Sequence, residues 1–226
     1  AHAAGQRGIT PLKIKGGSRV PLAQESQKEA DKELLFLKQL REELGQAVTL
    51  RLDANGVYDS ARARKRLAEF ARYDVALFEQ PTASAELASL GVCAIPWAVD
   101  ESLSEPMLDA ASDPCDRFLS APGCRAWVVK PALHGLRSAR RLALRAIAHG
   151  LDVIVTHLID GPVALAAACE LALSLPVSPL ACGLDEHAGL AAWPPVDIPQ
   201  HRQAQHLITP SGGIGLGFAQ QAVPWS

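Results

Sequence analysis

Six ionisable residues recur along the chain at intervals of about one strand plus one helix. Lys15, Asp53, Glu79, Asp100 and Lys130 are separated by 38, 26, 21 and 30 residues, and Lys13 precedes the first of them by two. Three carboxylates delivered to one place form a hard oxygen site suited to Mg²⁺, which accepts water and substrate oxygens in its remaining positions. Lysines flanking such a site suit removal of a proton α to a carboxylate, the metal stabilising the enediolate while a lysine takes the proton. Lys13 and Lys15, two apart on a strand, project to one face. Neighbouring ammonium groups lower one another's pKa, which is one route to a lysine base near neutral pH. Each residue alone has an ordinary reading as well. A Lys-x-Lys pair suits the solvent face of an edge strand, and Asp53 can bond its own backbone ahead of the Asn55-Gly56 turn. Asp100 or Ser102 can cap a helix, and Lys130 can reach solvent along its stem. Their return at the same place in successive units singles them out.

The elements that must position them follow from the apolar pattern. Short apolar runs at residues 12–15, 48–53, 75–79, 95–100, 126–130, 153–156 and 179–182 read as strands. Helical spacing fills the intervals. Residues 25–44 turn Leu34, Leu37, Leu40 and Leu44 inward, with Ser26 as N-cap and Gly45 as the stop. Residues 60–73 turn Leu67, Phe70 and Ala71 inward, and leave Arg62, Arg64, Lys65 and Arg66 as a solvated face. Two more helices are predicted over 137–149 and 163–175, the second with Pro162 in its first turn. Alternation of this kind builds a parallel sheet, either open and doubly wound or closed as a (β/α) barrel. Polar residues at the ends of several different strands favour the barrel.

Composition narrows the partners. Of 226 residues, 48 % are hydrophobic and 20 % charged, which indicates a folded globular chain. The 22 basic and 24 acidic residues leave a net charge of −2 with no basic block, so a small molecule is the expected partner rather than nucleic acid or a membrane. The apolar run 161–175 is too short to span a bilayer and contains Glu170. Five cysteines without a C-x-x-C pair read as reduced thiols and imply a cytoplasmic location. The one methionine is Met107, so the expectation is a fragment, a processed product or a trimmed chain. Oligomeric state is not legible.

As a set, Lys13-Ile14-Lys15, Arg51-Leu52-Asp53-Ala54-Asn55, Glu79-Gln80-Pro81, Asp100-Glu101-Ser102, Lys130-Pro131 and Gly183-Leu184-Asp185 resemble the enolase superfamily over residues 8–218, and within it the o-succinylbenzoate synthase branch. The resemblance implies an α/β fold, a TIM-like (β/α) barrel lacking its first strand and N-terminal capping domain. Residues 1–209 would form that barrel, and 210–226 would pack on the capping domain. It further implies Mg²⁺, with Mn²⁺ as a substitute, held by Asp53, Glu79 and Asp100. Lys15 would remove the α-proton and return it to the departing hydroxyl. Lys130 would stabilise the enediolate from the opposite face, and Lys13 would tune Lys15 and touch the substrate carboxylate. Arg51, Asn55, Thr156, His157 and Leu184 would line the substrate. His157 departs from the small polar residues of the family, and its role stays open between lining, structure and base.

The implied reaction is loss of water from 2-succinyl-6-hydroxy-2,4-cyclohexadiene-1-carboxylate in menaquinone biosynthesis. Racemisation of N-acylamino acids or epimerisation of dipeptides, with Lys15 and Lys130 opposed, is the alternative on the same scaffold. Gly183-Leu184-Asp185 carries one aspartate where dipeptide epimerases carry D-x-D. A barrel piece acting only as a binding module is the third reading. Asp185-Glu186-His187 is contiguous, so its side chains cannot all converge. The Gly-rich stretch 211–217 opens no helix and so makes no nucleotide site.

Overall fold

A computed structural model describes residues 11–16, 27–104, 113–185, 187–193, 201–203 and 206–208, with backbone alone for 27–31, 201–203 and 206–208. The predicted Ser26 cap and the segment 210–226 lie outside the described residues. Two compact units divide the chain, Ala1–Trp127 and Val128–Ser226. The first holds β1 (Pro11–Lys15), α1 (Gln27–Leu44), β2 (Thr49–Asp53), α2 (Ser60–Phe70), β3 (Val75–Glu79), α3 (Ser84–Leu87), β4 (Trp97–Val99) and the larger part of β5 (Cys124–Val129). The second holds α4 (Pro131–His134), α5 (Leu136–Ala148), β6 (Asp152–Val155), α6 (Pro162–Leu173) and the antiparallel pair β7 (His201–Gln203) and β8 (His206–Ile208). The main sheet runs β1-β2-β3-β4-β5-β6, its spatial order following chain order. Strands β1 to β5 pair parallel.

Within the first unit, β3 reads as a nearly continuous apolar run while β2 alternates leucine with Arg51 and Asp53, and both strands are buried over most of their length. Leu50, Leu52, Leu77 and Phe78 are all buried, each contributing roughly 1.5–3 kcal/mol by leaving water. Phe78 stacks between Tyr58 and Phe70, with ring centroids 6.3 and 5.9 Å away. Helix α1 buries Leu37 and Leu40 and stops at Gly45, whose φ of 66° lets its N–H return to the Arg41 carbonyl at 3.0 Å. Arg41 is buried as well. Its guanidinium donates to the carbonyls of Tyr73, Gly45, Val48 and Asp74 at 2.8–3.0 Å, tying the end of α1 to the entries of β2 and β3.

Two expectations change. The arginines of α2 do not form one solvated face, for Arg62 and Arg66 are buried while Arg64 and Lys65 stay exposed. Spaced i, i+4, Arg62 lies 4.7 Å over the Tyr58 ring and Arg66 lies 5.8 Å over Phe70. Arg66 also pairs with Glu69 at 3.0 Å and Glu33 at 3.5 Å. The second change is at residues 179–182, which form no regular strand. Leu180 N–H donates to Val153 O at 2.9 Å and Gly183 N–H to Val155 O at 3.0 Å, so this stretch advances three residues while β6 advances two. The extra residue makes a bulge, and the Val155 N–H turns to the Cys182 sulfur at 3.3 Å.

All five cysteines are free, and burial pushes the Cys124 thiol up to about 12, which leaves it unreactive. No described helix is long and apolar enough to cross a membrane.

Candidate active site

Parallel pairing without slippage at the strand ends sets the geometry. Lys13 lies beside Arg51, Lys15 beside Asp53, and Asp53 beside Glu79. Glu79 pairs with Ala98, two residues before Asp100. Lys15, Asp53 and Glu79 therefore share one level of the sheet, and Asp100 follows just past the end of the next strand. One carboxylate oxygen from each of Asp53, Glu79 and Asp100 lies within 4.8 Å of the others, and all three residues are buried. Arg51 sits on the same sheet face as Asp53, one pleat repeat earlier, and is buried.

Both lysines turn to these acids. Lys13 Nζ lies 2.8 Å from Glu79 Oε2 and 3.3 Å from Asp53 Oδ2. Lys15 Nζ lies 3.2 Å from Asp53 Oδ2 and donates to Asn55 Oδ1 at 2.8 Å. Burial alone would lower the Lys13 pKa, but Glu79, then Asp53 and Asp100, outweigh it and hold the ammonium above its ordinary value. The mutual depression expected of two adjacent lysines is thus reversed for Lys13. Burial raises Asp53, and the charges of Lys13 and Lys15 overcome it, holding Asp53 below the usual carboxylate value. For Glu79 burial wins over Lys13, and the neighbouring Asp53 and Asp100 charges reinforce it, so Glu79 sits above its ordinary value. Lys13 and Lys15 thus offset negative charge on Asp53 and Glu79. An all-oxygen, carboxylate-rich donor set of this kind fits a hard divalent cation such as Mg²⁺.

The turn after β2 shapes the rim. Asn55 and Gly56 both have positive φ, 49° and 73°, as the central pair of a type I′ turn requires, and Val57 N–H closes it on Ala54 O at 3.2 Å. That conformation lets Asn55 N–H donate to Asp53 Oδ1 at 3.0 Å while its side chain bridges Lys15 to Glu101, Nδ2 donating to Glu101 Oε1 at 2.7 Å. Glu101 and Gln80 are the neighbours that residue-type reasoning passed over. The available signal was their place directly after Asp100 and Glu79.

The second unit carries the other expected residues. Lys130 follows β5 as the N-cap of α4 and is half-buried. Thr156 bridges to Gly183, is buried, and keeps its hydroxyl oxygen without a partner among the described residues. His157 faces the Leu158 carbonyl through Nδ1 and the Asp185 carbonyl through Nε2, at 3.0 Å for the latter. Its ring stacks on His187 with centroids 4.6 Å apart. His157 thus clasps its loop to the one after Gly183. Leu184 is buried.

Comparisons with known proteins place this arrangement. The Enolase C-terminal domain-like family matches residues 1–222. An o-succinylbenzoate synthase of Thermobifida fusca (strain YX) is 34 % identical over 170 residues, 74 % of this chain and 50 % of that protein. The chain therefore spans about half the length of this curated relative. Among solved structures, muconate cycloisomerase from Pseudomonas fluorescens gives a TM-score of 0.76 at 20 % identity, covering 97 % of this chain and 58 % of that one. Muconate lactonizing enzyme from Pseudomonas putida gives 0.72 at 21 % identity, covering 92 % and 55 %. These two structures share the fold of this chain, an α/β barrel fold with parallel strands. The family match extends over nearly all 226 residues and includes the three strand-end carboxylates, and the chain belongs to the Enolase C-terminal domain-like family of the enolase superfamily.

Proposed function

We propose that the chain carries reacting residues of a Mg²⁺-dependent carbon–oxygen lyase, one that removes a proton α to a carboxylate and expels water. The observation that carries this reading is a lysine at the open edge of a buried three-carboxylate cluster: Lys15 is 68 % exposed at its side chain and 3.2 Å from Asp53. Asp53, Glu79 and Asp100 would hold the cation, with Mn²⁺ as a substitute. When bound, it would supply positive charge for the oxygens of a substrate carboxylate as the α-proton leaves. Lys15 Nζ would take that proton and return it to the departing hydroxyl, so the proton leaves as part of water. Asn55 steadies the base by accepting its hydrogen bond at 2.8 Å. Lys13, engaged with Glu79 and Asp53, offsets part of the cluster's charge.

The name of the Thermobifida fusca relative supports 2-succinyl-6-hydroxy-2,4-cyclohexadiene-1-carboxylate, a menaquinone precursor, as the substrate. In the same proposal Lys130 stabilises the enediolate from the face opposite Lys15, while Arg51, Thr156, His157 and Leu184 line the substrate. The same proposal takes the reaction to be cytoplasmic.

Lys15→Ala should lower Mg²⁺-dependent dehydration by about 10²–10⁴-fold, the range set by losing a general base. Turnover at the wild-type rate would remove Lys15 from its role. Incubating N-succinyl amino acids in D₂O separates the racemase alternative, which predicts α-deuteration faster than dehydration.

A further inference from the structure

We infer that Gln80 is the positioning residue of the carboxylate cluster, tying the turn after Asp53 and the segment that carries Asp100 to the strand end that carries Glu79. The inference rests on the reading that these three acids hold a divalent cation. Gln80 is 1 % exposed, and its φ of 38° puts a non-glycine residue in the left-handed region, at a cost of about 1–3 kcal/mol that persists only where surrounding bonds fix it.

Those bonds use the whole residue. Its backbone N–H donates to Ala98 O at 2.9 Å, and its carbonyl accepts from Gly56 N–H at 2.7 Å, in the turn that follows Asp53. Its side-chain Oε1 accepts from Asp100 N–H at 2.9 Å and Ser102 N–H at 3.4 Å. Its Nε2 donates to Thr82 O at 3.0 Å and Ser102 Oγ at 2.5 Å, and Ser102 Oγ meets Ser84 Oγ at 2.5 Å. Both donors and both acceptor sites of the carboxamide are filled. A residue adjacent to one carboxylate thus holds the backbone of a second, Asp100, and the turn three residues after the third, Asp53.

The carboxamide is specific to this task. Methionine of similar length would leave the Asp100 and Ser102 N–H groups buried without acceptors. Glutamate would set an acceptor against the Thr82 carbonyl and add a charge beside three carboxylates. Asparagine tolerates the left-handed backbone but is one methylene short of Asp100 N, so it separates backbone conformation from the side-chain bridge.

The test is calorimetric titration of the full chain with Mn²⁺ and with Mg²⁺, paired with hydrogen–deuterium exchange. Gln80→Met and Gln80→Asn should each weaken metal binding about 10–100-fold, as loss of a group supporting a metal ligand does, and speed exchange at Asp100 and Ser102. Leu67→Ala, a buried change in α2 away from the cluster, should destabilise the fold and leave metal affinity as in wild type. If Gln80→Met does not fold, Gln80→Asn decides the question. Wild-type affinity in the Gln80 variants, or an equal loss in Leu67→Ala, would overturn the inference while leaving the cation reading intact. A wild-type chain that binds neither metal would overturn both.

Discussion

Replacing Lys13 with methionine removes an ammonium group while keeping side-chain length. Two contacts go with it, at 2.8 Å to Glu79 and 3.3 Å to Asp53, each carrying roughly 5 kcal/mol of raw attraction at an effective dielectric of about 20. Dehydration of the ammonium and its 36 % exposure to screening solvent offset most of this. About 2–3 kcal/mol remains, below the ~3–5 kcal/mol that a fully buried pair loses with one partner. The deficit depends on pH, with a sign set by the shifts. Glu79 already lies above its ordinary value of 4.5, and without Lys13 it rises further. The folded variant then takes up a proton more readily than the unfolded chain, and its deficit shrinks as pH falls through the folded pKa. Asp53 acts on the deficit in the same direction: the stabilisation it owes to Lys13 is present above its unfolded value of 3.8 and fades as pH falls through the lower folded one. Lys13 itself contributes fully below 10.5 and loses that contribution as pH rises through its higher folded value. Urea unfolding in EDTA, followed by circular dichroism, should show the variant about 2–3 kcal/mol less stable at about pH 8 and clearly less affected at about pH 5. Equal deficits at both pH values, or one under about 0.5 kcal/mol at the higher, would refute the reasoning.

Two further outcomes rest on packing. Arg41→Ala removes four hydrogen bonds to carbonyls at 2.8–3.0 Å and should cost about 2–4 kcal/mol in urea unfolding, with Arg41→Lys recovering only part because an ammonium cannot span the same four acceptors. An unchanged urea midpoint would contradict that account. Gly123→Ala would set a Cβ 2.4 Å from Gly91 O and 2.8 Å from Trp97 Nε1, at a φ of 88°. A loss of roughly 2–4 kcal/mol is expected in thermal unfolding followed by tryptophan fluorescence. A wild-type melting temperature would show that the Gly91 turn yields freely.

Strand ends were legible in the sequence because β1 to β5 each end at, or one residue before, a charged residue: Lys15, Asp53, Glu79, Asp100 and Lys130. Register then carried Asp53 and Glu79 to the same level, with Asp100 two residues past Ala98, the partner of Glu79. What sequence could not convey was the outcome of competition between interactions. Lys13 and Lys15 repel as a pair, yet Lys13 answers mainly to Glu79, a residue 66 positions away. Arg62 and Arg66 look like surface residues until Tyr58 and Phe70 offer ring faces at matching spacing. The missing regular strand at 179–182 turns on a single extra residue and a cysteine sulfur in place of a carbonyl. Gln80 was visible only as part of a motif, since a carboxamide shows its use only when its four partners are in place.

The acidic cluster also bears on how the chain folds. Its carboxylates and both attendant lysines come from β1 and the ends of β2, β3 and β4, all inside one compact unit. Each strand pairs with its neighbour in the chain, so no long loop must close before the acids meet, and the entropic cost of gathering them is that of adjoining βαβ segments. Like charges are forced together only as the ladder forms, which makes their repulsion a tax on the last step of local sheet assembly rather than on the search that precedes it.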